Sequence, residues 1–503
     1  MRIFRTSNIK KSKWHPRRQI LLLLLFMVVS LSLAAQNINI TGENTATYIY
    51  RTAKDSLNNY LENELKFRVD RGVFSFGMSF LAELPKYDDT APVSELHSDN
   101  LKTSWKDLFV QLNYDDFRLK AGTIDEAYGV GLILRSWNNP DLDQDKRLDG
   151  ALAHYNYKNL RLKGLYGKMK EDIRAEAISQ NDLVTAIDSE YKVFPFLAIG
   201  ASAVEYKQER SLIPTRDYTY LNIYGGRFAL TTDYFDLESE YAEHKTFHGL
   251  PSEVYGNALY SYANGYLGSW SLGAGYKRYD NFDRYPLSDL PTLNHYDELL
   301  YSYATGYIKT EEGLFGEIRY NHNLQHEILV NYGESWDDKY DVRLANIFAE
   351  YKWHLDAVSI TTDFEHLEKR NNYIYSWEKE VIPTISIDFL ELPVPLTVKA
   401  KWSFKEENIY ETEKSYNKPY LQIDSRLFGI LKYAIFAEYQ FVGMDDISNN
   451  KVYLGAELVT NIASHTEAKL FAGQEKGGKV CRNGICKDQA PFEGIKFSLN
   501  TRF

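Results

Sequence analysis

The chain closes on Gly494-Ile495-Lys496-Phe497-Ser498-Leu499-Asn500-Thr501-Arg502-Phe503. Side chains of an extended strand point alternately to opposite faces, so Ile495, Phe497, Leu499, Thr501 and Phe503 share one face and Gly494, Lys496, Ser498, Asn500 and Arg502 share the other. One face is apolar, the other polar, and the last residue is an aromatic. Such a strand buries its apolar face either in the dry interior of a soluble sheet stack or against lipid on the outside of a barrel.

The same alternation recurs along almost the whole chain. Leu108, Val110, Leu112 and Tyr114 alternate with Asp107, Phe109, Gln111 and Asn113; Leu396, Val398, Ala400, Trp402 and Phe404 alternate with Thr397, Lys399, Lys401 and Ser403. Tyr433, Ile435, Ala437, Tyr439 and Phe441 oppose Lys432, Ala434, Phe436, Glu438 and Gln440, and Val452, Leu454, Ala456 and Leu458 oppose Lys451, Tyr453, Gly455 and Glu457. Turn signals at Asp70-Arg71-Gly72, Asp115-Asp116, Lys158-Asn159, Asn264-Gly265, Glu311-Glu312-Gly313 and Phe428-Gly429 alternate with longer polar segments near 85–103, 136–148, 280–296, 406–416 and 475–490. Short turns on one rim and long loops on the other define an outer-membrane barrel rather than a sandwich. Aromatics beside the short turns, Tyr114, Phe117, Tyr157, Trp353 and Phe428, suit a girdle at headgroup level. The fold expected is all-β: an antiparallel transmembrane β-barrel of about 24 strands, within a range of 18–26, with short periplasmic turns and long extracellular loops. An even count returns both ends of the barrel to one side of the membrane.

Residues 1–35 read differently from the rest. Arg2, Arg5, Lys10, Lys11, Lys13, Arg17 and Arg18 precede the apolar run Ile20–Val29, and the small residues Ser32, Ala34 and Ala35 follow. About ten apolar residues are too few to span a bilayer as a helix, so the expectation is a secretory signal peptide over 1–35 and a barrel over 36–503. The 51 Lys and Arg that remain face 69 Asp and Glu, a formal charge of −18, which argues against nucleic acid as a partner. Residues 37–503 contain no stretch of 18 apolar residues, which sets aside a bundle of membrane helices.

Two segments exceed the hairpin rhythm. The first runs Gly122-Thr123-Ile124-Asp125-Glu126-Ala127-Tyr128-Gly129-Val130-Gly131-Leu132-Ile133-Leu134-Arg135-Ser136-Trp137 and on through Asp145, Asp149 and Gly150; the second is Gly473-Gln474-Glu475-Lys476-Gly477-Gly478-Lys479-Val480-Cys481-Arg482-Asn483-Gly484-Ile485-Cys486. Together with the signal peptide and the last strand, they resemble segments of an uncharacterised, domain-of-unknown-function family of outer-membrane β-barrels from Bacteroidota. The last strand by itself resembles the terminal strand of Gram-negative outer-membrane barrels, whose final aromatic, here Phe503, is read by the barrel assembly machinery. The resemblance implies barrel fold, outer-membrane lipid as surroundings and cell outer membrane as location. It implies no activity.

Several residues carry local expectations. Gly122, Gly129 and Gly131 permit a bend, a bulge or close strand approach, and Arg135 either points into the lumen or anchors a loop. Asp141, Asp143, Asp145 and Asp149 stand at positions 1, 3, 5 and 9 of a calcium-loop spacing, but Lys146 and Leu152 replace the Gly and Glu that complete it, so a solvated acidic loop is favoured. Cys481 and Cys486 flank the turn dipeptide Asn483-Gly484, and in an oxidising compartment they read as a disulfide; two thiolates cannot complete a zinc site. Gly268-Ser269-Trp270-Ser271-Leu272-Gly273 lacks the nucleophile-elbow spacing, and His244/His248 and His322/His326 lack the Glu of a zinc protease, so neither an enzyme nor a cofactor is expected. Lys399, Lys401, Lys432, Glu438, Lys451, Glu457, Lys496 and Arg502 fall on the polar face and give a mixed-sign lumen lining. That lining suits a porin-like channel for small polar solutes; the alternative is a structural or docking barrel that binds a partner or a surface glycan through its loops.

Overall fold

The computed structural model describes residues 38–52, 59–84, 102–139, 144–170, 182–209, 218–247, 253–282, 287, 290–293, 310–323, 325–409, 412–442, 450–482, 485–489 and 491–503. The signal peptide expected over 1–35, and Asp141 and Asp143 of the acidic loop, lie outside them. Twenty-four of the described strands form one antiparallel sheet, from Asn39–Arg51 to Phe492–Arg502, and the others form short two-stranded hairpins. The last strand pairs back onto the first, from Glu43↔Arg502 to Arg51↔Gly494, so the sheet is a closed barrel. Closure leaves no unpaired edge, the condition for putting strands into hydrocarbon. At the seam, the Gly42 and Phe503 backbones exchange hydrogen bonds of 2.8 and 3.0 Å, and the Phe503 ring lies where a side chain at Gly42 would stand. Arg502 reaches Glu43 across the same seam at 3.3 Å. No helix among the described residues is long and apolar enough to cross a membrane.

The rims follow the expected division, with three corrections. Asp115-Asp116, Lys158-Asn159 and Phe428-Gly429 are tight turns, with Asp115, Lys158 and Phe428 at φ of 46°, 51° and 52°. Asn264-Gly265 is not a turn. It lies inside the strand Glu253–Leu267, paired with Gly273 and Leu272, and the chain reverses at Gly268-Ser269 instead. Glu311-Glu312-Gly313 likewise opens the strand Glu311–His322. In both places pairing across the sheet overrides a local turn preference. The polar segment 406–416 is mostly strand, the ends of Leu396–Ile409 and Thr412–Leu427, and its Glu407 lies 2.9 Å from Lys405, which is also 3.2 Å from Glu378.

The two faces of the wall differ as lipid and water require. Leu108, Val110, Ile187, Ile199, Leu314, Ile318, Ile435, Leu454, Ile495 and Phe497 point outward and are exposed, while Ser202, Asn331, Asn346, Ser403 and Gln422 on alternating positions are buried inside. Aromatics collect at the short-turn rim, including the stacked pairs Tyr155/Tyr157 and Phe194/Phe196 and the Trp270/Tyr320 contact at 4.4 Å. This is the architecture of a transmembrane β-barrel, with an apolar exterior between polar ends.

Candidate functional site in the barrel lumen

The inner wall is not uniformly polar. From the strand Leu148–Tyr157 round to Trp270–Asp280, the inward residues nearest the long loops are Leu148, Leu152, Leu165, Met169, Val184, Ala186, Val204, Leu221, Ile223, Ala242, Ala258 and Tyr279, all buried. They join one apolar cluster with Ile124, Tyr128, Leu132, Ile133 and Leu134, which come from the first of the two unusual segments. After the strand Phe117–Ile124 the chain turns into the barrel and makes a small hairpin, Glu126–Tyr128 against Leu134–Ser136. The hairpin lies across the inner wall. Glu126 accepts from Lys163 at 2.7 Å and contacts His154 at 2.8 Å; the Val130 N–H donates to Glu240 at 2.7 Å; and Ile133 packs onto the bare backbone of Gly225. Phe282, Leu287 and Leu290 cover it from the other side, and the Arg135 N–H donates to the Leu287 carbonyl at 2.6 Å.

Polar groups hold the base of this hairpin. Glu126 loses solvation on burial, yet its hydrogen bonds to His154 and Lys163 outweigh that cost and hold the carboxyl down to about 2. Arg147 is clamped by Asp145 at 2.8 Å and by Asp107 at 3.4 Å, and Lys170 lies 3.2 Å from Asp145. Asp149 accepts from Thr123 at 3.0 Å. Of the four carboxylates with calcium-loop spacing, the two that are described are therefore engaged within the protein, and Asp145 sits between two cations.

The glycines explain where the wall bends. Gly122, Gly150 and Gly167 stand opposite one another on three neighbouring strands. Gly122 has φ of 113°, and a Cβ there would fall 2.0 Å from the Leu108 carbonyl oxygen; at Gly150 it would fall 2.0 Å from the Tyr166 carbonyl oxygen. Only a residue without a side chain lets the backbones close to that distance. Gly129 and Gly131, with φ of 60° and 101°, form the hairpin tip.

A second device of the same kind stands at the other unusual segment. Gly455, Gly473 and Gly494 form a second facing row, with Gly473 at φ of 143° against the Leu454 carbonyl. Beyond it, Gly478–Arg482 pairs with Ile485–Gln489. From this hairpin Arg482 is buried over the rings of Phe436 and Phe471, at 4.7 and 5.2 Å, beside Glu457 and bonded to Glu475. Ile49, Tyr60, Phe436, Phe471 and Phe492 make the apolar patch beneath it. Cys481 and Cys486 stand opposite each other in the register of the hairpin; their side chains, and with them the expected disulfide, lie outside the described ones.

The remaining wall is mainly polar, apart from a small buried cluster of Val342, Leu344 and Leu367. Lys399 and Lys401 alternate on one face with buried Ser403, and Lys432 and Glu438 with buried Ala434 and Phe436. Glu457 is buried and pairs with Lys469 at 2.9 Å; Glu438 meets Lys476 at 3.7 Å; Lys418 meets Glu380 at 3.3 Å. Lys451 is exposed at the long-loop rim, Lys496 lies over the Phe492 ring, and Arg502 is at the opposite rim. His244, one of the histidines weighed for catalysis, is buried with its ring against Phe282 and its Nε2 2.8 Å from the Asn281 carbonyl. What sequence reading missed is the inward course of both hairpins. A signal was present: Tyr128 and Leu132–Leu134 are apolar, yet the segment is too short and too glycine-rich for a membrane strand.

Closed sheet, apolar exterior and partly filled polar lumen together define a transmembrane β-barrel. The model of a family of unknown function, DUF6029, matches residues 17–351, and the chain belongs to that family. No match was found among curated proteins. Among solved structures, the chain resembles the Escherichia coli P pilus tip assembly intermediate PapC-PapD-PapK-PapG, with a TM-score of 0.56 and 8% identity over 93% of this chain and 61% of that one. The P pilus usher (PapC) translocation pore gives 0.46 and 9% over 93% and 99%, and the siderophore receptor PirA from Pseudomonas aeruginosa gives 0.47 and 9% over 93% and 81%. At such identities the likeness is one of fold.

Proposed function

We propose that the protein is an outer-membrane pore for small polar solutes whose lumen is narrowed by its own two inward hairpins. Export by a signal peptide over residues 1–35, and insertion by assembly machinery that reads Phe503, complete this reading. The observation that carries it is the asymmetry of the inner wall. An apolar, covered face holds no water, so solutes pass along the polar face between the strands Glu311–His322 and Thr466–Glu475. Charges of both signs lie on that face, among them the pairs Lys405 with Glu378 and Glu407, Lys418 with Glu380, and Lys469 with Glu457, so the field along the route is of mixed sign and ion selectivity is weak. No catalytic step is assigned to the chain.

Reconstitution of the purified full chain in a planar bilayer tests this. Discrete current steps, with cation and anion permeabilities within about threefold of each other, are expected for a mixed-sign route. A folded barrel that passes no current would replace the pore with a docking barrel that works through its loops.

A further inference from the structure

The outer wall carries a groove that neither the barrel fold nor a pore requires. Pro383 lies in the strand Ser376–Phe389 and Pro419 in Thr412–Leu427, and both stand level with Trp402 of the strand between them. Proline has no N–H to give to a ladder, so it is kept out of the middle of a paired sheet unless something compensates. Here the ladders skip. Pairing runs Val381↔Phe404 and resumes at Thr384↔Lys401; on the far side it runs Asn417↔Phe441 and resumes at Tyr420↔Glu438. Two gaps at one height, two strands apart, flank Trp402.

The surface at this height is hollow, with a cavity of about 580 Å³. The two prolines, Ala400 and Ala437 leave it shallow-walled, and the outward, exposed side chains Ile385, Trp402, Leu421, Tyr439 and Val452 stand round it. The opening faces the same side as the apolar exterior and is continuous with it. Trp402 and Pro419 lie seven and nine residues from the nearest short turns, roughly 20 Å up a tilted strand, within the apolar band and toward its long-loop side.

We propose that this groove binds one acyl chain of a membrane lipid, from the leaflet nearer the long loops. In hydrocarbon, the contest is between a chain packed into a fitted hollow and a chain in fluid lipid. Hydrophobicity does not decide it, because both are apolar; close carbon contacts do. Small residues on the floor with large ones round it supply those contacts, and an empty hollow would forfeit them.

The test is photolabelling of the full chain in phosphatidylethanolamine and phosphatidylglycerol vesicles doped with a phospholipid that carries a diazirine near its acyl terminus, followed by peptide mapping. Peptides holding Ala400–Trp402, Pro419–Leu421 and Ala437–Tyr439 are expected to be labelled roughly fivefold more than the lipid-facing strand Glu253–Leu267, which is what a handful of added carbon contacts gives. Ala400→Phe with Ala437→Phe should bring the ratio to about one while the heat-modifiable band of a folded barrel is kept. Should that variant fail to fold, Pro383→Val with Pro419→Val, which restores two ladder donors, should lower the ratio instead. Equal labelling of groove and control strand in the native protein would overturn the proposal.

Discussion

Two stretches of the inner wall use the same strand length and the same alternation, yet they face opposite surroundings. Between Leu148 and Asp280 the inward residues near the long loops are mainly aliphatic and lie under the hairpin Glu126–Ser136; between Glu311 and Glu475 serine, asparagine, glutamine and charged side chains surround two smaller apolar groups, Val342 with Leu344 and Leu367, and Phe436 with Phe471. Alternation fixes which residues point inward, but what they meet there depends on where a loop goes. An inward apolar row is stable only because another part of the chain covers it, and the covering hairpin is in turn held by that row. Neither would stay dry alone.

The largest expected effect therefore comes from a charge placed at that contact. Leu134→Asp buries a carboxylate among aliphatic side chains and should destabilise the folded barrel by about 4 kcal/mol, read from denaturant midpoints in detergent, whereas Lys399→Asp on the polar wall should change stability by no more than about 0.5 kcal/mol. Next is the bend that aims the hairpin. Gly150→Val sets a side chain against the Tyr166 carbonyl and should cost about 3 kcal/mol or prevent folding, while Gly164→Val, with no atom within 4 Å of the new Cβ, should be nearly silent. If the two glycine variants behaved alike, the close approach at Gly150 would not be what shapes the wall.

A smaller effect sharpens the comparison through pH. Glu126 is held below its ordinary range in the folded protein, so its contribution is full above about 4.5 and is lost as pH falls toward 2. Limited proteolysis within residues 125–137 should begin as the pH drops through that window. Glu126→Gln should expose the same bonds already at neutral pH, at a cost of about 2 kcal/mol. The smallest effect is at the second hairpin. Intact mass without reduction should show Cys481 and Cys486 joined, and Cys→Ser at both should lower stability by about 2 kcal/mol at most, since so short a loop restricts the unfolded chain little. Two free thiols would contradict the pairing.

Much of this was legible in the sequence. Period-two patterning from Leu108 to Phe503, with an even hairpin rhythm, leads to the closed 24-strand sheet, and the polar face containing Lys399 and Lys401 is on the inside with Ser403. The turn at Gly268 was not legible because Asn264-Gly265 carries the stronger local signal, and only pairing with the next strand moves the reversal. The covered wall was hidden for a similar reason. Val184, Ala186 and Ile187 make one strand apolar on both faces, and alternation cannot say which apolar face meets lipid and which meets a loop. The groove at Trp402 was hidden because two prolines 36 positions apart reveal their common height only once strands are in register.

The claim beneath the comparison is that one side of the lumen is dry and the other wet, and thiol accessibility reads that directly. With Cys481 and Cys486 replaced by serine, Val184→Cys and Lys399→Cys are each exposed to a small, charged, membrane-impermeant thiol reagent on the folded protein in vesicles. Lys399→Cys should react readily, and Val184→Cys should resist until the segment 126–136 is deleted. Equal reaction at both positions with the hairpin intact would contradict the account.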